Sequence, residues 1–310
     1  PRLVNWGFAR RRKMTKPSTE SSTDPRDLWD LRVRDLYGTA LRKPKRHPDG
    51  REGWVHDVRV ACRRLEAAAA LFAPVLPGAP RKRVEARAKG LRRRLGASRE
   101  MDVILEELDG LAEALSVDPA ALAGLKKRHD KRRKKILSAC LQRYDRKRLK
   151  RHRRKARALE PADSPPFSDL VATHLYACTE AAEDLYEPLS DPKAAALHHK
   201  LRIRIKRLRY ALELSSEELA PQLDVSGPLK QLKKFQDALG RLNDAVDLEH
   251  FIARGGLDEA SVDAAYWLEA TRKMREERHR FAVGLVGTNL PELLGRIRRS
   301  AGRTGQIALR

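Results

Sequence analysis

The chain is poor in cysteine. Cys62, Cys140 and Cys178 are scattered, odd in number and form no CxxC pair. That excludes a disulfide framework and a cysteine zinc site, and it fits reduced thiols in a cytoplasmic protein. Aromatic residues make only 5% of the chain, too few for a base-stacking surface. No apolar run approaches the roughly 18 residues of a membrane span. The N-terminal stretch PRLVNWGFARRRKMTK lacks an apolar signal core, and Met14 is a candidate start. Alternation of period two is sparse, as are β-branched clusters, which argues against sheet. No phosphate-binding GxxxxGK[ST] loop, GxSxG elbow or HExxH helix occurs. With neither nucleotide cradle nor metal carboxylates, the chain reads as a non-enzyme needing no cofactor and no metal.

What the chain has is positive charge. Lys and Arg total 66 against 42 Asp and Glu, a formal net charge of +24. Such a field suits a polyanion. Nucleic acid, anionic membrane and polymeric phosphate all qualify on charge alone.

The periodicity predicts an all-α fold. Residues 1–23 read as a disordered extension, basic and then rich in Ser and Thr. Order is expected from Asp24-Pro25, with Leu28, Leu31 and Tyr37 recurring at helical intervals. Further helices are expected over about 52–72, 81–95 (Val84, Ala88, Leu91 and Leu95 on one stripe) and 101–115. A long helix is expected over 119–158. The stretch 159–166, inside ALEPADSPPF, reads as a linker. More helices follow at 167–187, 191–220, 228–240, 241–253, 257–285 and 291–300, and 301–310 reads as a tail. Between Lys126 and Arg157, eighteen Lys and Arg stand against two acids. The plain reading of that run is a solvated helix. The functional one is nonspecific nucleic-acid binding.

The chain duplicates itself. HDVRVACRRL (His56–Leu65) aligns with HKLRIRIKRL (His199–Leu208) at an offset of 143. Leu95-Gly96 then matches Leu239-Gly240 at 144, Arg99-Glu100 falls on Asn243-Asp244, and Lys89 on Lys233. Arg128 falls on Arg272 and Lys131 on Arg275. A repeat this long exceeds solenoid units of roughly 20–50 residues. It predicts two pseudo-symmetric helical bundles, 24–158 and 167–300, around a central basic cleft or pore.

Both copies keep cations at i, i+3 and i+7, on one side of a helix. Like charges so placed repel, so their repetition calls for a reason. Val55, Val58, Val60 and Leu65 flank one face, and Leu201, Ile203, Ile205 and Leu208 the other. Each face should therefore border a core. Trp54 and Tyr210, at the motif edges, read as core. Cations spaced about 5 Å apart along a groove suit a linear polymer of close charges better than one small anion. The acids Glu100, Asp102, Asp244 and Asp247 match no metal spacing and read as orienting neighbouring Arg and Lys. His198-His199 does not read as a metal site.

With these residues in view, the chain resembles the CHAD family, the conserved histidine α-helical domain. VHDVRVACRRLEAAAALF and LHHKLRIRIKRLRYALEL look like its two signature helices, and LGASREMDV and LGRLNDAVDL like the segments that follow. Arg99-Glu100 departs from the usual Arg-Asp pair but keeps the acid. The ExExK of a fused triphosphate tunnel domain is absent. The resemblance implies a basic central groove that binds inorganic polyphosphate, often at polyphosphate granules. By motif, the ligand would meet His56, Arg59, Arg63 and Arg64, then His199, Arg202, Lys206 and Arg207. The repeat adds Lys89, Arg128, Lys131, Lys233, Arg272 and Arg275. Two other readings remain: a basic nucleic-acid-binding protein, and an enzyme processing polyphosphate.

Overall fold

The structure is a computed structural model and describes residues 25–41, 50–96, 99–142, 146–157, 165–258, 260 and 262–304. Every regular element among them is helical. The expected extension at 1–23 and most of the linker lie outside the described residues.

Helix α1 spans Pro25–Leu41, α2 Gly50–Leu71, α3 Gly78–Gly96 and α4 Arg99–Ala114. A 3-10 turn, Pro119–Leu122, leads into α5, Ala123–Gln142, followed by α6, Arg146–Arg157. After the linker come α7, Phe167–Glu183, α8, Ala195–Leu214, and the single turn α9, Ser216–Leu219. Last are α10, Ser226–Ala253, α11, Ala264–Ala282, and α12, Thr288–Thr304.

The motif helices are built alike. On α2, Val58, Cys62, Leu65 and Ala69 are buried, and on α8 so are Leu201, Ile205, Leu208 and Leu212. Each set follows the i, i+4, i+7, i+11 pattern of an inward stripe. Trp54 and Tyr210 are buried with them, as their places at the motif edges predicted. Two expected positions differ. Ile203 is exposed, because it falls outside the α8 stripe. The α1 stripe is Trp29, Val33, Leu36 and Tyr37, whereas Leu31 faces solvent.

Helix α2 packs on α1 and α3, and α8 on α7 and α10; α2 and α8 also touch. Helix α6 lies on α1, and α12 on α7. Two apolar clusters result. The larger joins residues on both sides of the linker, including Trp29, Leu65, Leu95, Leu175, Leu208, Phe235 and Ile297. The smaller joins Leu108 and Leu111 of α4 to Leu248, Ile252 and Trp267.

Where the sequence predicts two helices at 228–253, α10 runs unbroken over 28 residues. It ends at Gly255, whose φ of +79° puts it in the left-handed region. There Gly256 N–H donates to Phe251 and Gly255 N–H to Ile252, closing the last turn. Helices α11 and α12 are joined by a π-turn, Val283–Gly287. Pro291 lies in the first turn of α12 and has no N–H to give Gly287. Tyr186 supplies it instead, donating its hydroxyl to the Gly287 carbonyl at 2.5 Å.

Candidate functional site

The cations of α2 and α8 lie one helical step from the buried stripes, which sets them at the edge of the core. Arg59, Arg63, Arg202 and Lys206 are all half-buried. Two glycines explain how two of them fit. The Arg59 guanidinium lies against Gly96, where a Cβ would meet its Nη1 at 3.6 Å, and Nη1 approaches the Leu95 carbonyl at 3.4 Å. Arg202 lies against Gly240 in the same way, with its Nη2 3.2 Å and Nε 3.4 Å from where a Cβ would stand. The repeated Leu-Gly pairs thus act as flat shelves for guanidinium groups. Gly240 stands in mid-helix, so Gly240→Ala should hold or raise stability by up to about 1 kcal/mol through helix propensity. It should also push Arg202 off its shelf and weaken binding of a polyanion severalfold. Gly96→Ala, with ordinary contact distances, should leave affinity within about twofold. Melting temperature and binding isotherms of the two variants check this.

The two cationic rows meet at Arg63. It lies close enough to Arg202 and Lys206, across the α2–α8 contact, to act on both electrostatically. Burial, with Arg202 and Arg63 beside it, pushes the Lys206 ammonium down to about 7. Arg202 is lowered by burial too, while Asp244, Asp247 and Asp237 oppose the shift. Its buried Nε finds no hydrogen-bond acceptor among the described residues. Partial loss of hydration likewise raises the half-buried Asp244 and the exposed Asp247 above their ordinary values, although Arg202 favours the charged form of both. These acids therefore border the cations, as the sequence predicts. Asp102 does not: it bonds the buried His129 at 2.9 Å.

His199 is exposed, and its Nδ1 meets Asn243 Oδ1 at 2.6 Å. Asn243 in turn donates to Asp247 at 2.7 Å. With Nδ1–H donating to Asn243, Nε2 of the neutral ring has no proton to offer an anion. His56 is exposed on α2.

The other expected residues are dispersed. Arg64 reaches across to Glu213 at 2.6 Å, tying α2 to α8. Arg207 lies on the side of α8 facing Cys178 of α7. Lys233 pairs with Asp237 at 3.1 Å, and Lys89 is exposed on α3. Arg272 and Arg275 share Glu249, both at 3.2 Å, while Arg128 and Lys131 are exposed on α5.

Sequence reasoning missed Arg209. It continues the row of Arg202 and Lys206 by one more turn, acts on Lys206, and donates to Gln236 at 3.3 Å. The aligned positions in the first half are Glu66 and Arg92, which also pair, at 2.9 Å and with the charge reversed. Glu107 and Arg278, 2.6 Å apart, lie near Asp244 and were missed as well. Extending the i, i+3, i+7 rule one turn finds Arg209. No local signal finds Glu107 or Arg278, whose partners lie far away in the chain.

A family model, the CHAD domain, matches residues 38–253. No curated protein sequence matches the chain. The solved structure of PptA from Streptomyces chartreusis is similar in fold, with a TM-score of 0.61 at 15% identity, covering 91% of this chain and 99% of that one. The crystal structure of the CHAD domain from the plant Ricinus communis is similar too, with a TM-score of 0.54 at 21% identity. That match covers 88% of this chain and 91% of the plant one.

Proposed function

The chain belongs to the CHAD domain family, and from that premise we propose that it binds inorganic polyphosphate, electrostatically, along the cationic rows of α2 and α8. The family is associated with polyphosphate. The observation that carries the reading is the meeting of Arg63 with Arg202 and Lys206. Half-buried like charges repel and lose hydration. A polyanion laid between them reverses both penalties. Arg59, Arg63, Arg202 and Lys206 form the cleft floor in this reading, with the Gly96 and Gly240 shelves fixing two guanidinium groups before the ligand arrives. His199 adds a donor only when protonated. The protein acts as a binder rather than a catalyst, and residence at polyphosphate granules follows from binding.

Bound Arg and Lys displace the polymer's counterions, so log affinity should fall linearly with log salt. The slope is about 0.7 to 0.9 per phosphate neutralised. Titration with long-chain polyphosphate at several salt concentrations tests this, with single- and double-stranded DNA as competitors at equal phosphate. A salt-independent affinity would overturn the electrostatic mechanism. Release of orthophosphate in the presence of Mg²⁺ or Mn²⁺ would replace binding by catalysis.

A further inference from the structure

Helix α6 carries more charge than its place in the fold requires. Nine of its 12 residues are Lys or Arg and none is acidic. It lies on α1 as α12 lies on α7. Yet α12 buries Leu290, Leu293, Leu294, Ile297 and Ala301, and bears a glutamate among its arginines. Among the described side chains of α6, only Ala156 is buried. Its carbonyl accepts the Trp29 indole N–H at 2.9 Å, which fixes one side of the helix against α1.

The opposite side shows Lys147, Lys150, Arg151, Arg154 and Lys155 to solvent. At 3.6 residues per turn they cover an arc of about 140° and a length of about 12 Å. Lys150, Arg151, Arg154 and Lys155 have no ion-pair partner among the described residues. Some cations on other helices are paired: Lys126 meets Asp109, Lys134 meets Asp130, and Arg275 meets Glu249. Cations at i and i+4 without acids between them destabilise a helix, so the fold alone does not account for this row.

We propose that the exposed face of α6 binds the sugar-phosphate backbone of double-stranded DNA, independently of sequence and separately from the α2–α8 site. Several observations select this occupant. A convex helix with cations over a wide arc can reach phosphates on both walls of a major groove, which is wide enough to admit a helix. No Phe, Tyr or Trp occurs on α6 to stack unpaired bases. A lipid surface would need an apolar face beside the charges, and the described apolar position, Ala156, is turned onto α1. The chain's own N-terminal segment carries Arg10, Arg11, Arg12 and Lys13, the same sign of charge as the face. Polyphosphate is the remaining rival, and the test separates it.

The experiment uses the full chain and the variant Lys150→Gln, Arg151→Gln, Arg154→Gln, Lys155→Gln. A random-sequence DNA duplex and long-chain polyphosphate are titrated separately between about 50 and 200 mM salt. The variant should bind duplex about tenfold or more weakly, with a log–log salt slope shallower by about 3 to 4, near 0.9 for each lost phosphate contact. Its polyphosphate affinity should stay within about twofold of the parent's, and duplex should still bind the parent protein saturated with short polyphosphate. Glutamine keeps the helix, which circular dichroism verifies. Arg151→Lys with Arg154→Lys keeps the charge and should keep the affinity. Unchanged duplex binding by the glutamine variant overturns the proposal. So does loss of polyphosphate rather than duplex affinity, or displacement of duplex by stoichiometric short polyphosphate. A parent protein that ignores polyphosphate but binds duplex through α6 would refute the proposed function and leave this inference standing.

Discussion

Replacing Arg59, Arg63, Arg202 and Lys206 together by glutamine is expected to lower polyphosphate affinity by roughly two orders of magnitude near physiological salt. Each lost phosphate contact removes about 0.7 to 0.9 from the salt slope, so four should flatten it by about 3. Helicity should persist. Glutamine is a good helix former, and the buried stripes of Val58, Leu65, Ile205 and Leu208 are untouched. It also leaves a hydrogen-bond donor near Asp244, where an aliphatic replacement of Arg202 would leave a half-buried carboxylate without its cation. Isothermal titration and circular dichroism at several salt concentrations decide the matter. Parental affinity and slope in a folded variant would remove the ligand from the α2–α8 site.

The second large effect separates stability from binding at one residue. Lys206 titrates near 7 in the folded protein and near 10.5 in an unfolded chain. Below pH 7 both states carry the proton, and the cost of a buried charge between Arg202 and Arg63 is fully present. From about pH 7 to 10.5 the unfolded chain holds the proton and the folded one does not. Stability therefore rises with pH across that window. Each tenfold change in proton affinity is worth about 1.4 kcal/mol, so the total is of the order of several kcal/mol. Lys206→Met should raise the stability measured by urea unfolding at pH 6 and flatten its rise above pH 7. The same variant should bind polyphosphate more weakly at pH 6. The parent should take up a proton as it binds at pH 7 to 8, and its affinity should fall as pH rises through 7. Equal stabilities of the two proteins at pH 6 would mean that Lys206 sits in water and has no such role.

The helices were legible wherever apolar spacing was regular, as in α3 with Val84, Ala88 and Leu95. Gly240 misled. In sequence it reads as a break, but in the fold it is the point where Arg202 lies against an unbroken helix. The π-turn was illegible, because it is held by Tyr186, a residue far away in the chain. At the site, duplication picked out Arg59, Arg63, Arg202 and Lys206 from many cations. The motif also named Arg64 and Arg207, each turned about 100° from the preceding position on its helix. Adjacent residues of a motif face different neighbours: Arg64 meets Glu213, and Arg207 looks toward α7. Which acids accompany the cations depends on how α2 meets α8 and how α4 meets α10. No periodicity within a single helix encodes that.

The larger apolar cluster draws on helices from before and after the linker, so the gauge between α2 and α8 is set by close-packed interior rather than by a hinge. Such an interior resists compression. If polyphosphate binds along α2 and α8 as proposed, a bulkier polymer of equal charge should bind there more weakly, because the packed interior does not yield to it.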